Sequence, residues 1–181
     1  MLENSQLIRL KKGDSIKPFD CGDDDLNDFF INDSLLHLDV LLSVTYTIEN
    51  ATETVAFFSL LNDKISTVDT DNLKLFKKFI KTTFPHGKRF KSVPAIKIGR
   101  LGVSQNHQKN GIGTQILDYI KELFITNNRT GCRFITVDAY DESIGFYLKN
   151  GFDFFQPNEG KLDTRLMFYD LKHITNYEEV E

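Results

Sequence analysis

The stretch from Ile96 to Phe124, IKIGRLGVSQNHQKNGIGTQILDYIKELF, constrains the fold more than any other part of the chain. It reads as a strand, a short polar loop ending in Gly111-Ile112-Gly113, and an amphipathic helix. Ile112, Ile116, Leu117, Ile120, Leu123 and Phe124 fall on one face at a 3.6-residue period, which only a helix can bury together. Asn110 or Gly111 stands at the capping position, with Thr114 in the first turn. No acidic residue lies between Ile96 and Ile116, whereas Lys97, Arg100 and Lys109 are basic. A helix start offers free backbone N–H groups and the positive end of the dipole, and glycines allow close approach. The segment from Lys109 through Asn110, Gly111, Ile112 and Gly113 to Thr114 is therefore expected to cradle an anion, here a diphosphate.

The preceding strand changes parity. Ile96 and Ile98 share one face, and Leu101 and Val103 the other. A regular strand with one buried face cannot do this without an extra residue, which predicts a β-bulge near Gly99-Arg100. A bulge would splay the strand from its neighbour and leave backbone groups of Leu101, Gly102 and Val103 free for an extended ligand. The alternative is that Gly99 ends one strand and Leu101 begins another.

The 181-residue length suits a single domain, 1–181, with a sizeable core. The net charge of −4 argues against global attraction to nucleic acid or an anionic membrane. Cys21 and Cys132 are too few for a disulfide framework and lack metal-ligand spacing, so a reducing cytoplasm and no metal are expected. The first residues, MLENSQLIRLKKGDS, contain no long apolar run, and no stretch approaches the length of a membrane span.

Leu7–Leu10 can form a first strand. In FDCGDDDLNDFFINDSLLHL, Asp23 is a plausible N-cap, and Asp24 and Asp25 complement the helix dipole. Leu26, Phe29, Phe30, Leu36 and Val40 give that helix its apolar stripe. The acid run lacks the ligand order of a calcium loop and reads as a solvated helix start. Val44–Ile48 and Thr54–Leu61, rich in β-branched and aromatic residues, predict a hairpin across the polar Glu49–Glu53. Asn62–Asn72 reads as loop.

Leu73–Ser92 contains no acid, while Lys74, Lys77, Lys78, Lys81, Lys88, Arg89 and Lys91 are all basic. Leu73, Phe76 and Ile80 line one face, so the first half is an amphipathic basic helix closed by Pro85 and Gly87. It reads either as a solvated helix face or as a dock for RNA or cofactor phosphates.

Arg133–Ala139 is expected to be a buried strand. YDESIGFYLKNGFDFF follows with a short helix, a stop at Gly151 and another strand from Phe152. Ser143, Phe146 and Tyr147 lie at i, i+3 and i+4 and share one face. Arg165–Leu171 completes the order, and the acidic tail from Glu178 is expected to fray. The series β, α, ββ, α, β, α, β, α, β, β describes an α/β domain with a mixed sheet.

These residues resemble the GNAT superfamily of acyl-CoA-dependent N-acyltransferases. Leu101-x-Val103 followed by Gln108-Lys109-Asn110-Gly111-Ile112-Gly113 is similar to its cofactor motif, in which Gln or Arg precedes Gly-x-Gly or Gly-x-Ala by three residues. Ser143…Phe146-Tyr147…Gly151-Phe152 is similar to its second signature. The resemblance implies a mixed, mostly antiparallel sheet with helices on both faces and a bulge in the central strand. A dinucleotide-binding reading is disfavoured, because the loop lacks the G-x-G-x-x-G spacing, and the P-loop lysine pattern is missing. A narrower resemblance joins Phe19-x-Cys21-Gly22…Leu26-Asn27 with Pro94-Ala95…Gly99-Arg100-Leu101-Gly102-Val103. It points to the acetyltransferase toxins of toxin–antitoxin modules, which acetylate the amino group of aminoacyl-tRNA, and to their non-toxin relatives.

The resemblance implies acetyl-CoA as co-substrate and a neutral amine that attacks its thioester directly. It gives the N–H near Leu101 to Val103 the role of oxyanion donor, Tyr147 that of the acid protonating the CoA thiolate, and Lys109–Thr114 that of holding the pyrophosphate while Gln108 orders the loop. Ser143 and Phe146 accompany the cofactor. A primary alkyl amine, with a pKa near ~10.4 as in lysine, must lose a proton first. No general base stands out: the central strand lacks Asp and Glu, Asp138 and Asp141 are remote candidates, and a water chain is the default. His107 reads as a loop residue beside the coenzyme. Three functions stay open: acetylation of a small-molecule or peptide amine, acetylation of aminoacyl-tRNA through the basic segment with an antitoxin as partner, and a non-catalytic acyl-CoA-binding module. Such folds also allow a homodimer.

Overall fold

The structure is a computed structural model that describes residues 5–69, 73–86, 90–126, 130–155 and 163–174. Seven strands are ordered β1-β2-β3-β4-β5-β7-β6. They are β1 (Gln6–Arg9), β2 (Val44–Glu49), β3 (Thr54–Ser66), β4 (Ser92–Val103), β5 (Phe134–Tyr140), β6 (Asp153–Phe154) and β7 (Thr164–Asp170). The helices are α1 (Asp24–Asp28), α2 (Ser34–Asp39), α3 (Leu73–Thr83), α4 (Ile112–Thr126) and α5 (Asp141–Lys149). β1 with β2, β2 with β3, β5 with β7 and β6 with β7 are antiparallel, and β4 with β5 is parallel. The sheet is mixed and mostly antiparallel, as expected. Backbone contacts divide the chain into two compact units, Met1–Leu61 with Ile98–Leu123, and Asn62–Lys97 with Phe124–Glu181.

In the first unit the hairpin forms as the sequence predicts, with Val44 opposite Leu60 and Glu49 opposite Thr54. Its tip is held by the Asn50 side chain, whose oxygen accepts the backbone N–H groups of Thr52 and Glu53 at 2.9 Å. Val55, Ala56, Phe57 and Phe58 are all buried. Successive strand residues point to opposite faces, so both faces of the sheet are covered here. One face packs Leu10, Phe19, Cys21, Phe29, Phe30 and Phe57 together. Phe30 stacks on Phe57 at 4.4 Å between centroids, and Phe19 meets both edge-on. Many of the chain's sixteen phenylalanines lie in clusters of this kind.

The first helix begins as expected, with Asp23 accepting the Leu26 N–H at 2.9 Å. The expected apolar stripe is only half correct. Phe29 and Phe30 are buried, but Leu36 and Val40 are 61% and 71% exposed. A π-helical turn over Phe29–Asp33 accounts for this. Its wider spacing takes up an extra residue and rotates everything after it by about 100°. Ser34 is buried in place of the expected apolar residue, its hydroxyl donating to the Phe30 carbonyl at 2.6 Å.

β4 runs unbroken through Gly99, so the two-strand alternative is replaced by one strand. Ile98 and Gly102 are buried and Arg100, between them on the same parity, is exposed, while Gly99, Leu101 and Val103 are half-buried. In the second unit Ala95 and Ile96 are both buried, again because both faces are covered. The register shift that the β2–β3 ladder shows lies between Ile48 and Glu49.

In the second unit the parallel register of β4 with β5 runs from Ala95 and Phe134 to Lys97 and Thr136. Asn62–Asn72 was expected to be loop, yet β3 continues to Ser66 and a 3₁₀ turn spans Thr67–Asp69. The polar run stays extended because its groups are paired. Asp63 accepts the hydroxyl of the buried Thr136 at 2.5 Å, and Asp69 accepts both donors of Ser66. Ile65 joins Phe76 and Ile80 of α3, Val93, Ala95 and Phe134 in a second core cluster. Arg133 ties this region together, forking onto Asp170 at 2.9 Å and donating to the Thr83 carbonyl at 3.1 Å. No helix among the described residues is long and apolar enough to cross a membrane.

Candidate functional site

In the first unit, β4 delivers Leu101, Gly102 and Val103 to a 3₁₀ turn over Gln105–His107, and Gln108 then leads into the glycine loop. Gly111 is the N-cap of α4, since its carbonyl accepts the Gln115 N–H at 3.1 Å. Two loop residues take the left-handed backbone, Lys109 at φ +64° and Gly111 at φ +76°. For Lys109 this costs about 1–2 kcal/mol, and glycine at 111 avoids it. Alternation of left- and right-handed residues turns successive N–H groups toward one concavity. Among the described residues, no N–H from Lys109 to Thr114 has a hydrogen-bond acceptor. A Cβ built on Gly111 meets nothing within 4 Å. Unpaired donors, a helix dipole and a bare concave backbone fit a phosphate group. Asn110, Gly111 and Thr114 are exposed, whereas Ile112 turns into the core with Ile116, Leu117 and Ile120.

Gln108 orders this loop. Its side-chain amide donates to the Cys21 carbonyl at 2.8 Å and to the Val103 carbonyl at 3.0 Å. Gly102 is glycine for packing reasons: an added Cβ would stand 2.7 Å from the Phe57 ring and 3.2 Å from the Phe19 ring. His107 is bound to Glu53 at 2.9 Å, and this hydrogen bond holds the Glu53 carboxyl below its usual range. That places His107 as a brace of the loop. The sequence reading missed Glu53, Asp20 and Gln105, whose bonds to the loop span up to 85 residues and leave no local signal. Asp20 accepts from the Gly22 N–H, the Asn27 amide and the Gln105 amide, which together lower its pKa.

The second unit carries the second signature on α5. Ser143 and Phe146 are half-buried and Tyr147 is buried. The Tyr147 ring packs on Phe146 and Phe152 at 5.1 and 5.2 Å, and desolvation pushes its pKa up to about 12. Among the described residues, its hydroxyl has no hydrogen-bond partner. The helix ends in a paired cap: the Gly151 N–H bonds the Leu148 carbonyl and the Phe152 N–H bonds the Tyr147 carbonyl, with Gly151 at φ +83°. Asp138 is ion-paired with Lys97, and Asp141 sits exposed in the first turn of α5, where it complements the dipole.

Lys74, Lys77, Lys78 and Lys81 are exposed on α3, and Lys91 is exposed just before β4. Phe76 and Ile80 bury the opposite face. Lys88 and Arg89 lie outside the described residues, as does the acidic tail. Among the described residues, no group of three or more His, Cys, Asp or Glu is placed to hold a metal ion.

Residues 75–153 match the family model of the acetyltransferase (GNAT) domain. No curated protein matches the chain. Solved structures share its fold. A bacterial toxin is 16% identical with a TM-score of 0.77, covering 98% of this chain and 96% of its own. A tyrosine-to-phenylalanine mutant of KacT is 18% identical with a TM-score of 0.76, covering 97% and 99%. AtaTR bound with acetyl-CoA is 18% identical with a TM-score of 0.75, covering 98% and 99%. Strand order, glycine loop and solved structures agree: this chain has the GNAT-type fold, and its residues 75–153 match the model of that family's acetyltransferase domain.

Proposed function

We propose that residues 1–181 act as one acetyltransferase that moves an acetyl group from acetyl-CoA to a primary amine. The observation that carries this reading is the run of N–H groups from Lys109 to Thr114, left without acceptors on a glycine turn at a helix N-terminus. Those groups hold the coenzyme's pyrophosphate, and Gln108 keeps the loop in place. Acetyl-CoA supplies the activated acyl group. The backbone N–H of Leu101 donates to the carbonyl oxygen as charge develops on it, and Gly102 and Val103 align the extended arm of the coenzyme. Tyr147, uncharged throughout the neutral range, donates its proton to the departing thiolate. Ser143 and Phe146 line the same stretch of α5. The amine must arrive neutral, and with Asp138 committed to Lys97 its proton leaves through water.

A second reading narrows the acceptor to the amino group of aminoacyl-tRNA. It is supported by the acid-free row of exposed Lys77, Lys78 and Lys81 on α3, and by a structural neighbour, AtaT, solved with acetyl-methionyl-tRNAfMet. The neighbours solved with an antitoxin or with DNA extend the partner class to an antitoxin. The two unpaired cysteines suit a reducing cytoplasm.

Labelled acetyl-CoA incubated with the protein, an amine panel and aminoacyl-tRNA tests both readings. Label on an amine supports the enzyme, and label only on tRNA selects the second acceptor. Tight acetyl-CoA binding with no transfer to any amine would replace catalysis by a binding module.

A further inference from the structure

The Phe19-Asp20-Cys21-Gly22 turn and Asn27 lie far in sequence from the glycine loop, yet most of their polar groups are spent on it or on each other. Asn27 donates to Asp20 Oδ1 at 2.8 Å and accepts the Cys21 N–H at 2.9 Å. The same Asp20 oxygen takes the Gly22 N–H at 2.8 Å. Asp20 Oδ2 accepts from Gln105 Nε2 at 3.1 Å, and the Asp20 carbonyl accepts the Gln105 N–H at 2.9 Å. One residue on, the Cys21 carbonyl receives Gln108 Nε2 at 2.8 Å. Gly22 stands at φ +83°, and any Cβ there would come within 3.2 Å of Gln105 Nε2. Turn and loop are thus matched donor to acceptor along their length, and all of these residues belong to one compact unit.

The match has a purpose that the loop itself explains. A loop whose N–H groups point outward has no internal hydrogen bonds to fix it, and Lys109 holds a backbone conformation that side chains disfavour. Its shape must be imposed from outside. We propose that Asp20 is the positioning residue of the coenzyme loop: backed by Asn27, it fixes Gln105 and so sets the cradle in its binding shape before the ligand arrives. This rests on the reading of Lys109–Thr114 as the acetyl-CoA cradle. Asp20 acts through Gln105, to which both its carboxylate and its carbonyl are bonded. Preorganisation of this kind appears in affinity, because a loop already ordered has less freedom to lose on binding.

Donor and acceptor can be exchanged to test it. Asp20→Asn keeps one oxygen for Gly22 and Asn27 and turns an amide N–H toward Gln105, whose amide can flip to accept it. Gln105→Glu faces the Asp20 carboxylate, acceptor against acceptor. Together they restore a bond of reversed polarity. Calorimetry with acetyl-CoA is expected to show Kd raised about tenfold by Gln105→Glu, left within about threefold by Asp20→Asn, and returned to within about twofold of wild type in the double variant. In steady-state assays the KM for acetyl-CoA should rise in Gln105→Glu while kcat at saturating acetyl-CoA holds. A residue that only supports the fold would lower Tm without this split and without rescue. Gln105→Ala, which removes one arm from an exposed side chain, guards against a single variant that fails to fold and should raise Kd about threefold. Unchanged Kd in Gln105→Glu and in Gln105→Ala, or a double variant no better than Gln105→Glu alone, overturns the proposal. Failure of wild-type protein to bind acetyl-CoA would instead overturn the cradle.

Discussion

Replacing Tyr147 by phenylalanine separates the chemistry of the hydroxyl from the packing of the ring. The ring contacts with Phe146 and Phe152 survive the change. The hydroxyl has no protein partner among the described residues, so its removal orphans nothing, and stability at pH 7 should move by no more than about 0.5 kcal/mol. At high pH the variants should part. Burial raises the phenol from 10.0 to about 12 in the folded chain. Between those values the unfolded state loses the proton and the folded state keeps it. The wild type's stability is therefore intact below pH 10 and declines as pH climbs toward 12, by about 3 kcal/mol at one pKa unit per 1.36 kcal/mol. Tyr147→Phe carries no such proton and should hold its stability better through that window, as urea denaturation at pH 7, 10 and 11 would record. For the reaction, loss of a general acid should lower kcat by about 10²-fold or more and leave acetyl-CoA affinity unchanged. The wild-type rate should show no alkaline decline from this residue below about pH 11. A variant with wild-type kcat would refute Tyr147 as the acid, and a parallel loss of stability in both proteins above pH 10 would refute the burial argument.

Gly111→Trp should abolish measurable acetyl-CoA binding by filling the open side of the cradle, with fold loss limited to roughly the 1–2 kcal/mol of a left-handed side chain; calorimetry and thermal melts separate the two. Gly102→Ala should destabilise the chain by about 1–3 kcal/mol, because its Cβ would overlap the Phe57 ring, and the loss should appear in chemical denaturation even without ligand. Reversing the charge of Lys77, Lys78 and Lys81 together should cut acetylation of aminoacyl-tRNA about tenfold or more at low salt and leave a small amine's turnover alone. Equal rates on tRNA before and after reversal would remove α3 from the acceptor path.

Periodicity made the elements legible, and contact chemistry hid the rest. Ile112, Ile116, Leu117 and Ile120 announce α4 because a solvated helix must keep its apolar residues in phase, and all four are buried. Asp23 announces α1 through a bond only three residues long. The π turn at Phe29–Asp33 has no such signature: Leu36 and Val40 keep a helical spacing that the extra residue puts out of phase. Asn62–Ser66 looks like loop because its strand is satisfied by a hydroxyl from Thr136, 73 residues away. In the cradle, Gln108-Lys109-Asn110-Gly111-Ile112-Gly113 could be read directly, because glycine and charge are local properties. Its support by Asp20 and Glu53 could not, because nothing in a single sequence ties residue 20 to residue 105.

The π turn frees Ile31 within it and the segment after it from the duties of a core. Ile31, Leu36, Val40, Leu41 and Leu42 are each between 49% and 90% exposed, although their composition is that of an interior. Mutation there can alter greasiness, solubility and stickiness without disturbing the Phe30–Phe57 stack. Two selective pressures that would otherwise collide in one short helix act here on separate residues.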